Sequence, residues 1–382
     1  MKFKILPSNL LDALNRVTPA VGKTDITSLV KIETSTGNVN LCCTDTSIAL
    51  ETNITADVDE TGGVCVSAKT LVDVLKKLDS DKPVVIQTIE KDRICISSGR
   101  FKNRLCYIET EYYPAIEQFK NLNSVTFNTK ELFDIINSVK FCVSQDSYRA
   151  FLKGANFVVE QDKIQIMGAN GHLLSYAKTS GGVTFDEPQS FIIPKHSLDV
   201  ISGILKSVKD ETVIMRISTN SISIETEDVK FLSILIDAKY PDIGGMLNFT
   251  PNIKLLIERD TIIRAIRRVA ITANNLNKAI TFRLNNNELS LSSVNSSHEN
   301  AEDTITCERV ESTVNDFEIA FSSEYMLNIL GAIDTDFVWF VGSTGNNNFK
   351  FTECLDSKEH CKSDTHSIDE GQALYLLSRV VV

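Results

Sequence analysis

Six short segments of one character recur along the chain at nearly constant spacing. Their cores are Leu10-Leu11-Asp12-Ala13-Leu14, Leu71-Val72-Asp73-Val74-Leu75, Leu132-Phe133-Asp134-Ile135-Ile136, Ser197-Leu198-Asp199-Val200-Ile201, Ile262-Ile263-Arg264-Ala265-Ile266 and Met326-Leu327-Asn328-Ile329-Leu330. Measured from the central polar residue, the intervals are 61, 61, 65, 65 and 64 residues. A fixed period means that one supersecondary unit has been copied, and such a chain builds an array, a surface or a ring rather than a single pocket.

Each copy follows the same order. An alternating segment of strand type comes first, over residues 3–6, 64–67, 125–128, 191–194, 253–257 and 317–321. A capping-type residue follows (Ser8, Ser67, Thr129, Ser322), then a predicted helix of three to four turns with apolar residues at i, i+3 and i+4. Further alternating strands come next, joined by turn-rich residues such as 36–38, 160–162 and 285–287. A helix apolar on one face packs that face onto a sheet, so the fold class is α+β, with helices on one face of antiparallel sheets. One unit is too small for a core, and pairing consecutive units gives three tandem domains of about 125 residues each. The expected domains are 1–121, 122–250 and 251–382. Their boundaries fall near 118–124 and 248–252, just after Tyr113-Pro114 and Tyr240-Pro241, and the last domain carries an insertion near 354–371.

The helix positions three and four after each central residue are informative. They are Asn15 and Arg16, Lys76 and Lys77, Asn137 and Ser138, Ser202 and Gly203, Arg267 and Arg268, and Gly331 and Ala332. None is acidic, although the chain carries a formal net charge of -11. These positions share a face with the central residue, opposite the apolar stripe, which predicts a shared neutral-to-basic surface. Four of the six central residues are Asp, which weakens that surface.

Composition excludes several classes. With 42% apolar and 23% charged residues the chain is ordinary globular material. No apolar run approaches the roughly 18 residues of a membrane span, and the opening Met1-Lys2-Phe3-Lys4-Ile5 is unlike a signal peptide. The nine cysteines are scattered and odd in number, which fits reduced thiols in a cytosol. Gly22-Lys23-Thr24 imitates the end of a phosphate-binding loop, but Val17 stands where that motif needs glycine. Cys354, His360, Cys361 and His366 lie in a polar stretch whose spacing matches no familiar zinc pattern, so no metal is expected. No catalytic triad, carboxylate pair or nucleotide fingerprint is present; neither an enzyme nor a cofactor is expected.

In this order and on this repeat, the chain resembles the bacterial DNA sliding clamps, the beta subunits of DNA polymerase III. The resemblance rests on Met1-Lys2-Phe3 leading into Leu10-Leu11, on Thr44-Asp45, on Gly171-His172 with Leu174, and on Tyr240-Pro241-Asp242. It covers essentially the whole chain. It implies a head-to-tail homodimer closed into a ring around double-stranded DNA, held without sequence readout, with helices inside and sheet outside. The implied partners are the polymerase III alpha subunit, the clamp loader and other proteins carrying a clamp-binding motif; no membrane is involved. A cytoplasmic, nucleoid-associated processivity factor is expected, with a clamp-fold interaction scaffold or accessory clamp paralogue as the alternative.

The same resemblance implies sites. DNA contacts fall to Lys23, Lys76, Lys77, Arg149, Arg264, Arg267 and Arg268. Ring closure falls to Asn103 and Leu105 on an edge strand around 103–108, meeting Ile271 and Thr272; Asn103 and Thr272 stand where bulkier apolar residues are usual, which implies a weaker dimer. A partner-peptide pocket would have Leu152, Ala169, Gly171, His172, Leu173, Leu174, Pro241, Met246, Leu376 and Leu377 as walls. Leu173 and Gly245 replace usual basic residues there, which implies an altered peptide preference.

Overall fold

The six repeated segments all become helices, each entered from a strand. In a computed structural model describing residues 1–90, 92–114, 123–145, 147–161, 163–183, 187–314, 316–354 and 372–380, the helices are α1 (Pro7–Val17), α2 (Ala68–Leu75), α3 (Thr129–Lys140), α4 (Lys195–Ser207), α5 (Gly244–Leu247), α6 (Arg259–Val269) and α7 (Ser323–Ala332). All but the short α5 belong to the repeat. The strands leading in are Lys2–Ile5, Gly62–Ser67, Asn123–Asn128, Gln189–Pro194, Ile253–Glu258 and Asp316–Ser322.

The apolar spacing does what it predicts. α1 buries Leu10, Ala13, Leu14 and Val17, and α6 buries Ile262, Ile263, Ala265, Ile266 and Val269. Each large side chain so buried contributes about 1.5–3 kcal/mol of transfer free energy.

Helix starts are less regular than the expected caps. Ser67 does cap α2, accepting from the Thr70 amide. For α3 the cap is Asn128, which accepts from the Glu131 amide, so Thr129 is the first helical residue. α1 starts after Leu6 with Pro7 at its first position, which places Ser8 inside the helix. Proline supplies the helical φ and has no amide to cap, so a side-chain cap is dispensable. Ser322 stands at the N-cap of α7 without a side-chain bond. α2 has only eight residues, fewer than the expected three turns.

By density of contact the chain divides into Met1–Phe127 with Gly203–Leu235, and Asn128–Ser202 with Ile236–Val382. In the first unit, a five-stranded antiparallel sheet ends on the strand Phe101–Cys106. A second sheet passes from Leu29–Ser35 through Asn38–Thr44 and Ile48–Thr55 to Lys230–Ile234, with Phe231 opposite Leu50 and Leu232 opposite Ala49. That pairing places residues 203–235 with the first unit, although they lie in the middle third of the sequence.

In the second unit, a nine-stranded sheet joins Leu173–Ser180 to Ala373–Ser378, with Leu174 opposite Leu376. A four-stranded sheet ends on Asn300–Thr306. Phe317, Phe321, Phe340, Phe349 and Phe351 fill the core between them with ring centroids 5.1–6.3 Å apart. The first expected boundary falls largely on residues 115–122, which lie outside the described residues; the second falls between α5 and the strand Ile253–Glu258.

Candidate nucleic-acid interface and partner sites

α6 carries the strongest positive face. Arg264, Arg267 and Arg268 are all exposed, because the buried stripe takes the opposite side of the helix. Their surroundings differ. Arg268 donates from Nε to Asp303 Oδ2 at 2.8 Å, and its Nη2 bonds the same oxygen. Among the described residues Arg264 bonds Thr261 Oγ1 alone, at 2.9 Å. Among the described residues no carboxylate pairs with Arg264 or Arg267. Two of the three charges are therefore available to an anion, and the third is already compensated.

Lys76 and Lys77 are exposed but lie just beyond α2, with Lys76 as its C-cap. They are helix-end cations, favoured there by the helix dipole, rather than residues of a helix face. Lys23 is exposed on a tight turn closed by Gly22 N to Thr27 O at 2.8 Å. A Cβ on Gly22 would meet Thr27 Oγ1 at 2.1 Å, so glycine holds this turn for a packing reason. Arg149 is exposed, with its guanidinium carbon 5.4 Å from the ring centroid of Tyr148, which is 89% exposed. Arginine on an exposed aromatic makes a flat cationic platform.

The expected neutral-to-basic surface is interrupted at α3 and α4, where Asn137, three after the central residue of α3, meets Ser202, three after that of α4. Lys140 Nζ donates to Ser202 Oγ at 3.2 Å, Ser202 donates to Asn137 Oδ1 at 3.0 Å, and Lys140 lies 3.8 Å from Asp199. Asn137 and Ser202 are small and polar there because they form a seam between the two helices.

The edge strand expected at 103–108 runs instead over Phe101–Cys106, because Ile108 is bridged to Cys65. Asn103 and Leu105 are both half-buried, paired with Ile96 and Ile94. The Asn103 Oδ1 is buried with no hydrogen-bond partner among the described residues. Lys102 and Arg104 point outward from this strand. Ile271 is 84% exposed and nearby Leu276 is 95% exposed; sequence reasoning missed Leu276 because a lone leucine in a polar loop carries no periodic signal. Thr272 is turned inward, its hydroxyl 2.7 Å from Ser293 Oγ.

Among the pocket residues, Leu174 and Leu376 join an apolar cluster with Met167, Tyr176, Tyr240 and Ile243, and Ala169 packs against it. Leu173 and Leu377 correct the expected wall. They sit one residue away on the same paired strands, so their side chains leave by the other face, and they are 1% and 0% exposed. Leu152 is buried outside that cluster, whereas its neighbour Phe151 packs on it edge-on to Tyr240, centroids 5.7 Å apart. Gly171, at φ +97°, and His172 form an exposed turn, with Asn170 Oδ1 accepting from the His172 and Leu173 amides. Pro241 and Met246 are also exposed, Met246 to 43%. Phe151 and Tyr240 belong to this cluster and were absent from the expected set; for Tyr240 the aromatic before Pro241 was the one sequence signal.

Cys354 is buried, and His360, Cys361 and His366 lie outside the described residues. Among the described residues no three His, Cys, Asp or Glu side chains are placed to hold a metal ion. No helix there is long and apolar enough to cross a membrane.

A repeated helix-on-sheet array with exposed cations on its helices and open, charged sheet edges is a surface suited to binding and assembly. The chain belongs to the DNA polymerase III beta-subunit family: the N-terminal domain profile matches residues 1–117, the central domain profile 126–242 and the C-terminal domain profile 249–362. The beta sliding clamp of Staphylococcus epidermidis is 27% identical over 348 residues, covering 88% of this chain and 91% of that one. That of Staphylococcus aureus is 26% identical over 338 residues, covering 86% and 88%. The fold matches the DNA polymerase III subunit beta of Pseudomonas aeruginosa at a TM-score of 0.89 and 24% identity over the whole of both chains. It also matches the Bacillus subtilis clamp at a TM-score of 0.89 and 21% identity, covering 100% and 99%. The protein is a bacterial replication processivity clamp of three clamp domains, a non-catalytic subunit that works in the cytoplasm.

Proposed function

We propose that two copies of this chain close head to tail into a ring that encircles duplex DNA, with the seven basic residues Lys23, Lys76, Lys77, Arg149, Arg264, Arg267 and Arg268 as its sequence-independent contacts. The observation that carries the DNA assignment is the exposed, uncompensated pair Arg264 and Arg267 on α6, in a chain whose net charge is -11. Cations kept free of carboxylates on one helix suit phosphate attraction, which falls with salt and ignores sequence. Arg268 contributes less, since it must give up Asp303 to reach a phosphate. Arg264→Glu with Arg267→Glu should shorten retention on nicked circular DNA at least ten-fold at low salt and leave the fold intact. Unchanged retention would remove α6 from the DNA-facing surface.

Ring closure is supported by complementary strand edges. Phe101–Cys106 ends its sheet with Lys102 and Arg104, and Asn300–Thr306 ends another with Glu302 and Asp303. Pairing the first strand of one protomer with the second of its partner would cover both edges, bring the exposed Glu302 toward Lys102 and Arg104, and place Asn103 and Leu105 near the partner's surface around Ile271 and Thr272. Leu276 would be covered with them.

The cluster around Leu174, Leu376 and Tyr240 is proposed as the seat of peptide motifs from the polymerase III alpha subunit, the clamp loader and other partners, flanked by Gly171, His172, Pro241 and Met246. A Pseudomonas aeruginosa sliding clamp, 23% identical at a TM-score of 0.89, has been solved bound to griselimycin, which supports ligand binding on this fold. The domain bounds 1–121, 122–250 and 251–382 and association with the nucleoid belong to the same reading. Loss of consensus-peptide binding in a protein that still loads onto DNA would favour an accessory paralogue; failure of both would favour an interaction scaffold.

A further inference from the structure

A cleft of about 620 Å3 opens between α3 and α7, and three carboxylates line it. Phe133, Phe141 and Leu327 give it apolar walls; Asp134, Asp334 and Glu353 give it charge. No Lys, Arg or His among the described residues lines it. Among the described residues none of the three carboxylates makes a hydrogen bond or an ion pair.

Glu353 stands where the sheet would ordinarily place a hydrophobic residue. Along the strand Asn348–Cys354, Phe349, Phe351 and Glu353 share one face, and both phenylalanines are fully buried. Directly across from Phe351, on Ala373–Ser378, is Tyr375, which shares that face with Ala373, itself a lining residue. Tyr375 is 0% exposed, with Ser138 as the polar neighbour of its hydroxyl. A carboxyl partly buried in a cleft without a partner is costly unless a ligand satisfies it.

Burial, with Asp334 adding, pushes Glu353 up to about 7. Burial raises Asp134 as well, with Lys130 opposing and Asp334 adding. Burial also raises Tyr375, with Cys142, Glu353 and Asp334 adding and Ser138 opposing. The carboxylates are not grouped to share a metal ion.

We infer that this cleft is a binding site for a small organic cation with an apolar body, its amidinium or alkylammonium head against Glu353 and its body against Phe133, Phe141 and Leu327. The volume suits a small molecule, and mixed apolar walls with a few convergent polar groups are what such sites offer. The inference does not depend on the ring or on DNA.

Calorimetric titration of the full chain with benzamidine, and with neutral benzamide as its control, tests it. Benzamidine is expected to bind with proton release near neutral pH, and its affinity to rise about ten-fold from pH 6 to pH 8 as Glu353 ionises. Glu353→Gln should lower that affinity at least ten-fold at pH 8, with folding checked by its melting curve. Leu327→Trp, which fills the cleft from the α7 side, should abolish binding by a separate route. Equal binding of benzamide, an unaltered affinity in either variant, or no binding of benzamidine at millimolar concentration would overturn the assignment.

Discussion

Tyr113 and Tyr240 each precede a proline and each is buried, yet their hydroxyls meet different fates. Tyr113 accepts from the Thr44 amide at 3.0 Å and donates to the Leu29 carbonyl at 3.1 Å. The Tyr240 hydroxyl has no partner among the described residues. Removing a hydroxyl that satisfies a buried amide leaves that amide orphaned, whereas removing an unsatisfied hydroxyl relieves a cost. Tyr113→Phe should therefore destabilise by about 1–3 kcal/mol, and Tyr240→Phe should be neutral or stabilising. Urea unfolding of both variants checks this, and equal losses would contradict it. Sequence showed both dipeptides but not the partners, because Thr44 and Leu29 are brought to Tyr113 only by tertiary folding. Arg268 makes the same point: its charge was legible in the helical pattern, and its neutralisation by Asp303, 35 residues away, was not.

At the scale of elements, the repeat was legible because a one-faced helix needs apolar residues at fixed spacing, and that need is written in sequence. All six helices follow from it. Their ends were less legible, since Asn128 and Thr129 are both acceptable caps by type and only the backbone decides between them. Asn128→Ala should cost about 1 kcal/mol, and Thr129→Ala should cost less, as the Thr129 hydroxyl is buried without a partner among the described residues. The polar seam of α3 and α4 escaped notice because its residues also suit a solvated face.

Glu353 gives an element-scale prediction with a definite sign. Its folded-state value of about 7 exceeds the ordinary carboxyl value of 4.5, so the folded state holds this proton more tightly. Its contribution is most favourable below pH 4.5, and stability is lost as pH rises to about 7. Glu353→Gln should then stabilise by about 1–2 kcal/mol at pH 8, after discounting for partial exposure, and change little near pH 4. Melting curves at the two pH values read this directly; a variant less stable at pH 8 would contradict it.

For the whole molecule, the three-part plan was legible from period alone, and the way strands cross from one sequence third to the next was not. Residues 203–235 join the sheet of the first unit through Lys230–Ile234, a pairing set by non-local register that no local pattern announces. The proposed closure of two copies makes the dimer electrostatic in part. Lys102→Glu with Arg104→Glu should weaken self-association ten-fold or more at low salt, with less effect at high salt, by sedimentation equilibrium. An unchanged dimer would place the interface elsewhere.

Topological retention on DNA tests the central claim most directly. The chain, loaded onto a nicked circular plasmid by its loader, should stay bound through gel filtration and slide off once the plasmid is cut to a linear form. Equal retention on circular and linear DNA, or none on either, would contradict a ring that holds DNA by encircling it.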